Sequence, residues 1–248
     1  MIEVENLSRQ YGDLLAVSGV SFSAKSGDIL GFLGPNGAGK TTTLRMLVTY
    51  LPPSSGTARV AGYDILRESD SVRRNIGYLP ESPPLYGEMT VTEYLSFVAQ
   101  LKGIYGRKKI REAVERAIER CFLMEVSKRL CRNLSRGYRQ RVGLAQAIVH
   151  DPSVIVLDEP TSGLDPKQIT EIRRLIKELG KDRTVILSTH ILPEVQMVCN
   201  RVVIISRGKI ALESNLEDLT KEKSLEQVFL ESVGYEDVSD KEITGQNA

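Results

Sequence analysis

No apolar run in this 248-residue chain approaches the roughly 20 residues a membrane helix needs; stretches such as "VIVL" (residues 154–157) are far shorter. Any work at a membrane therefore calls for another chain to do the spanning. Net charge is nearly absent as well: 33 Lys and Arg offset 32 Asp and Glu, leaving +1. No broad field draws this chain to nucleic acid or to an anionic lipid surface. There is no CxxC pair. Cys121, Cys131 and Cys199 lie far apart, which argues against a disulfide framework or a zinc site and fits a reducing compartment. The opening "MIEVENLSRQYG" lacks a basic segment followed by an apolar one, so it does not read as a secretion signal. Internal repeats, low-complexity tracts and sustained heptads are missing too.

What remains is a globular composition, 41% hydrophobic and 26% charged, long enough to bury a core in one domain with a subdomain. "IEVENLS" and "VSGVSFSAKSG" alternate as half-buried antiparallel strands do. "DILGFLG" is a buried strand running into a Gly-rich turn. "KTTTLRMLVTYL" reads as the next helix, ended by "PPSSG". "TARVAG" and "NIGYLP" read as short strands. From about Val91 to His150 the texture turns helical. In "KKIREAVERAIERCFLM", Ile110, Val114, Ile118, Cys121 and Phe122 recur at helical steps, with Ala113 and Ala117 on the same stripe. "SVIVLDEP" and "RTVILSTH" are buried strands, "PKQITEIRRLIKELG" is a helix closed by Gly180, and "RVVIISRGKIALES" is a strand pair. This order predicts an α/β fold with a mainly parallel sheet, helices on both faces, N-terminal antiparallel strands and an inserted helical subdomain. We expect one domain over residues 1–230, the helical insertion at about 88–150, and a polar, frayed tail at 231–248.

"GPNGAGKT" (34–41) fits G-x-x-x-x-G-K-[ST] in full, between a buried strand and a helix. Glycines let the backbone wrap so that successive N–H groups face phosphate oxygens, and the helix N-terminus adds its positive dipole end. Lys40 would reach the β- and γ-phosphates, and the Thr41 hydroxyl would ligate Mg²⁺. Gly34, Pro35, Asn36, Gly37, Ala38, Gly39, Lys40, Thr41 and Thr42 are thus the candidate nucleotide contacts. A Gly-rich turn that merely caps a helix would not need the full motif in this context. "VIVLDEP" ends a buried strand in two carboxylates, at the end of the sheet where ligands collect. Asp158 falls on the Mg²⁺ side. Glu159, next along the strand, points another way and can orient a water for attack on the γ-phosphate, so the chain reads as a hydrolase.

The P-loop, "LSRGYRQR" (134–141), "VIVLDEPTSGLDP" and "ILSTH" resemble the ATP-binding cassette ATPases in order and approximate spacing, over about the first 210 residues. The resemblance implies a P-loop NTPase fold of the RecA-like kind. Tyr11 resembles the aromatic that stacks on adenine; the plainer alternative is a strand-end core tyrosine. Asp165 resembles the residue coupling two nucleotide sites across a dimer. His190 resembles the switch histidine that contacts the γ-phosphate. In this family the signature completes the opposite subunit's site, so Ser135, Arg136, Gly137 and Tyr138 should face a partner's ATP. That role is compatible with a plain N-cap by Ser135.

Two departures stand out. Glu81 occupies the place of a usual glutamine, and we expect it to ligate Mg²⁺ when ATP is bound rather than to be a solvated loop carboxylate. Arg136 and Tyr138 replace the commonest Gly and Gln. Arg136 either splays outward or reaches the partner's nucleotide, and the basic neighbours Arg132, Arg139 and Arg141 favour outward. "LPESPPLYGEMTVTEYL" and "LEQVFLESVG" resemble cassettes serving separately encoded exporter permeases, and suit partner contact. The resemblance therefore implies an Mg²⁺-dependent ATPase, a homodimer or heterodimer, driving a separate integral-membrane permease from the inner face of the cell membrane, with no nucleic-acid partner. A soluble cassette acting on ribosomes or DNA is the rival, but it usually carries paired cassettes, a coiled-coil insertion or zinc modules. A P-loop kinase would lack the signature and Glu159.

Overall fold

The structure is a computed structural model that describes residues 1–221 and 223–234. The chain opens with a hairpin, β1 (Ile2–Tyr11) against β2 (Leu14–Ala24), closed at the Tyr11↔Leu14 pair. Its alternation carries an irregularity. Val4 and Leu7 are both buried although three residues apart, because Asn6, with φ 49°, bulges the strand and resets which side faces in. β3 (Ile29–Leu33) follows, then α1 (Lys40–Leu47), β4 (Ser55–Val60), β5 (Tyr63–Asp64), α2 (Ser69–Asn75) and β6 (Ile76–Leu79). α1 stops short of the expected "VTYL" end: Thr49 takes φ 59°, and the Tyr50 and Leu51 N–H groups both turn back to the Arg45 carbonyl.

The helical stretch comprises α3 (Val91–Leu101), α4 (Arg107–Arg120) and α5 (Arg136–Ile148). Thr90 and Glu93 form a capping box that fixes where α3 starts. The α4 stripe is buried as expected at Ala113, Val114, Ala117 and Ile118 and runs on into Cys121 just past the helix, but Phe122 does not extend it. Its backbone turns left-handed (φ 56°) beyond the helix, and its ring lies 5.7 Å from each of the Arg141 and Arg174 guanidiniums.

The chain then returns to the sheet through β7 (Val154–Asp158), α6 (Pro166–Leu179), β8 (Thr184–Thr189), α7 (Leu192–Val198), β9 (Arg201–Ser206) and β10 (Lys209–Asn215). α8 (Leu216–Leu219) and α9 (Leu225–Val233) follow. "LEQVFLESVG", expected to offer a contact surface, forms α9, which buries Leu225 and Val228 in the chain's own core and leaves Leu230 exposed. Residues 231–233 finish that helix and Gly234 caps it; residues 235–248 of the expected polar tail lie outside the described residues.

The main sheet runs β10-β9-β3-β8-β7-β6, parallel from β9 to β6 with β10 antiparallel at the edge; the second sheet is antiparallel, β2-β1-β4-β5. β3 is buried at all five positions, so its alternation feeds two cores. Leu30 and Phe32 join β1, β2 and α1; Ile29 and Leu33 join the helical side. Each such fully buried side chain contributes about 2 kcal/mol. Two covered faces explain why β3, β7 and β8 carry no polar alternation.

Candidate nucleotide site

β3, β8 and β7 are neighbours, and their register aligns Leu33 with Thr189 and Ser188 with Asp158. Three loops therefore leave the sheet at one level: the Gly-rich turn after β3, Glu159 after β7, and His190 after β8. Segments more than 100 residues apart in sequence become one site at the carboxyl end of a parallel sheet.

The Gly-rich turn is held by close backbone approach. A Cβ on Gly34 would lie 2.4 Å from the Ile205 carbonyl oxygen. Gly39, which opens α1, has φ 104° and would press a Cβ to 2.8 Å from the Ala16 oxygen. Lys40 is 6% exposed and donates from Nζ to the Gly34 (2.7 Å) and Pro35 (3.1 Å) carbonyls, folded over its own loop. Burial lowers its pKa, while Glu159, Asp158 and Glu81 pull it back up. The lysine thus keeps a charge trained on the cavity of the turn.

Asp158 is 1% exposed, and neither carboxylate oxygen has a hydrogen-bond partner among the described residues; the Ser188 hydroxyl beside it is equally unpartnered. Burial raises the Asp158 pKa. The Ser188 and Thr41 hydroxyls come near enough to favour the charged form without completing a hydrogen bond, and Glu81 adds to the rise. Buried carboxylate oxygens without partners are costly unless a ligand meets them. Among the described residues no three His, Cys, Asp or Glu side chains form a cluster that could hold a metal alone. A donor set of one carboxylate and a nearby threonine hydroxyl, open to phosphate oxygens and water, fits Mg²⁺, which is commonly held this way.

Glu159, expected from sequence to come next along the strand, does not continue it. β7 ends at Asp158, and Glu159 adopts φ 49°, a left-handed conformation that costs a non-glycine residue about 1 kcal/mol. Its N–H donates to the Ser188 carbonyl (3.0 Å), and its Oε1 lies 2.8 Å from His190 Nδ1. Since a carboxylate only accepts, Nδ1 carries the proton in this pair. The structure thus brings Lys40, Thr41, Asp158, Glu159 and His190 together. Glu81 lines the same cleft, of about 500 Å³, as do Asn36, Gly37, Thr42 and Tyr11. Tyr11 is 42% exposed, with the Arg9 guanidinium 4.8 Å from its ring centroid, so it is not a strand-end core residue. Leu14, Ala16 and Ser162 also line the cleft, and sequence reasoning passed over them. Only the hairpin pairing that sets Leu14 opposite Tyr11 could have pointed to the first two.

Ser135, Gly137 and Tyr138 are not brought to this cleft. Ser135 caps α5, its hydroxyl accepting from the Tyr138 N–H (3.4 Å). A Cβ on Gly137 would lie 2.5 Å from Gln168 Oε1, so the glycine lets α5 abut α6. The Tyr138 hydroxyl donates to Glu125, and Asp165 caps α6 by accepting from the Gln168 N–H (2.9 Å). Arg136 is exposed but anchored. Its Nη2 donates to the Ser162 hydroxyl (2.9 Å), and its guanidinium fills the space a Cβ on Gly163 would need. Among its basic neighbours, Arg132 and Arg139 are exposed, Arg132 pairing with Glu88, while Arg141 is buried and paired with Glu171 at 2.6 Å.

Residues 17–162 match the ABC transporter family, and residues 131–197 also match a family described as AAA domain, putative AbiEii toxin, Type IV TA system. The chain is 40% identical over 233 residues to the uncharacterized ABC transporter ATP-binding protein YxlF of Bacillus subtilis, covering 94% of this chain and 77% of that one. It is 39% identical over 223 residues to the bacitracin transport ATP-binding protein BcrA of Bacillus licheniformis, covering 89% and 72%. The dimeric structure of MJ0796, a bacterial ABC transporter cassette, superposes with a TM-score of 0.81 at 25% identity, covering 87% of this chain and 99% of that one. With its P-loop, Glu159 and His190 gathered in one cleft, the chain belongs to the ABC transporter family, as an ATP-binding cassette that hydrolyses ATP.

Proposed function

We propose that this cassette is the ATPase subunit of an exporter, working as a head-to-tail dimer on the inner face of the cell membrane and driving a separate integral-membrane permease. The observation that carries the proposal is the separation of its two phosphate-binding elements. The P-loop cleft holds the lysine, the carboxylates and the histidine, while the Ser135 cap and the α5 N-terminus stand outside it. A second copy would bring its own Ser135 and Gly137 to the open side of the cleft. Such closure sandwiches ATP between two chains.

Within the site, Lys40 exchanges the Gly34 and Pro35 carbonyls for phosphate oxygens, and the turn's N–H groups take the rest. Asp158 and Thr41 would hold Mg²⁺, with Glu81 as a further oxygen ligand, and a bound ion would neutralise charge on the phosphate oxygens. Glu159 takes a proton from the attacking water, and His190 fixes the position of that carboxylate while facing the γ-phosphate. Tyr11 stacks on the base, and Asp165 relays the state of one site to the other. Arg136, tied to Ser162 at the rim of its own cleft, links the signature helix to that cleft.

Export is supported by the relative named for bacitracin transport and by the likeness to exporter-type cassettes. No helix among the described residues is long and apolar enough to cross a membrane. A groove of about 620 Å³ runs between the α1 side of the core and the helical stretch, lined by Tyr50, Tyr78, Pro84, Lys102 and Gln146. Tyr50 is exposed there, a surface suited to a permease's cytoplasmic helix. Affinity purification of the tagged chain from detergent-solubilised membranes tests the proposal. A multi-span protein should co-purify and stimulate ATP hydrolysis when both are placed in liposomes. Recovery with ribosomes or DNA, and no membrane protein, would overturn it.

A further inference from the structure

The Glu194 side chain is 2% exposed, in α7, and takes no part in the site as described so far. A carboxylate so deep is costly unless its oxygens are met. Here both are met, one from the turn after β7 and one from the last residue of β8. Oε1 accepts from the Thr161 hydroxyl, and Oε2 accepts from the Thr189 hydroxyl at 2.8 Å. Arg173 Nη2 stands 3.8 Å from Oε1. Thr161 lies two residues after Glu159 in a tight turn, where the Ser162 N–H donates to the Glu159 carbonyl. Thr189 immediately precedes His190, and its hydroxyl also accepts from the Ile191 N–H at 3.1 Å. One carboxylate therefore ties together the backbone on both sides of His190 and the turn that leaves Glu159.

The strands alone do not fix this geometry. Register aligns β7 and β8 only as far as Asp158 and Ser188, and both functional side chains lie beyond it. Beyond that pair, the Glu159 N–H bond to Ser188, the Glu194 bridge and the Glu159–His190 pairing itself join the turn after β7 to the end of β8. An apolar residue in α7 could fill the same volume without paying for a buried charge, but could not bond two hydroxyls. We infer that Glu194 is a positioning residue for hydrolysis: it holds the Glu159 and His190 loops as one unit, so the 2.8 Å pairing of the two side chains survives when nucleotide loads the site. This inference rests on the roles proposed above for Glu159 and His190.

Glutamine at this position can keep both contacts. Its oxygen accepts from Thr189 and its amide donates to the Thr161 hydroxyl, which can turn to accept. Alanine loses both. In the purified full chain, Glu194→Ala should lower kcat about 10- to 100-fold with trinitrophenyl-ATP affinity within about threefold, the mark of lost alignment rather than lost binding. Glu194→Gln should stay within about threefold of the parent kcat. Should the alanine variant fail to fold, Thr161→Val and Thr189→Val remove one hydroxyl each at nearly constant volume. Each should lower kcat more than nucleotide affinity. Glu159→Gln, run alongside, separates the two claims: brisk turnover by that variant would mean the site is misread. If it is inactive while Glu194→Ala or both valine variants keep parental kcat, or lose affinity as much as kcat, the positioning role is wrong.

Discussion

Three carboxylates stand close to the phosphate turn, and each is held in a different way. Asp158 is buried with both oxygens free, Glu159 is paired with His190, and Glu81 stands exposed on the loop after β6. Burial lowers the Lys40 pKa and raises that of Asp158; the Glu81 charge pushes both upward, so it is felt where an ion would sit. A hard cation binds a carboxylate more strongly than a neutral amide. Glu81→Gln should therefore raise the Mg²⁺ concentration for half-maximal ATPase activity about two- to tenfold, with little change in rate at saturating Mg²⁺. A titration curve superposing on the parent's would make Glu81 a bystander. The residues of the full P-loop motif and the Asp-Glu pair were legible in the sequence because their chemistry demands fixed types at fixed spacing. Glu194 was not. Its partners Thr161 and Thr189 come from two separate segments, the turn after β7 and the end of β8, and no local pattern announces a carboxylate that acts through other residues.

Among the elements, α5 is tied to the sheet as firmly as to its own subdomain. A Cβ on Gly77 in β6 would strike the Ala147 carbonyl at 2.0 Å, so helix and strand meet backbone to backbone. Two side chains fasten this junction at the Ile76 carbonyl: His150 Nε2 at 3.1 Å and Lys102 Nζ at 3.0 Å. His150 Nδ1 is buried without a partner, so the neutral ring fits and the charged ring would strand an N–H. Burial, reinforced by the Lys102 charge, lowers the His150 pKa from 6.5 to about 4. The neutral histidine then contributes stability that is fully present above pH 6.5. That contribution fades as pH falls toward 4, where the unfolded state takes up the proton first, and amounts to at most about 3 kcal/mol. Urea unfolding at pH 7 and pH 4.5 should show a larger acid loss for the parent than for His150→Gln. Equal losses would remove His150 as the cause. Strand pairs, the buried parallel strands and the α4 stripe were legible because period and burial coincide there. The end of α1, the exit of Phe122 and the left-handed turn at Glu159 were not, since positive-φ positions held by Thr, Phe and Glu leave no compositional signal.

At the scale of the whole molecule, the fold sets the P-loop cleft and the Ser135 cap of α5 on separate surfaces. The order of motifs along the chain showed that a signature was present, and its place at the head of α5 followed from the Ser135 cap. What sequence could not give was the side chain of Arg136, whose bond to Ser162 depends on where α6 and its preceding loop come to rest. The central claim is that Ser135 serves the cleft of a second copy. Mixed dimers of a Lys40→Ala chain with a Ser135→Ala chain test it most directly. If sites are shared between chains, each mixed dimer holds one cleft with both defects and one with neither. An equal mixture of two impaired homodimers should then recover ATPase activity to about a quarter of the parent rate. If the mixture hydrolyses ATP no faster than the sum of the two mutants alone, Ser135 acts within its own chain and the shared-site account is wrong.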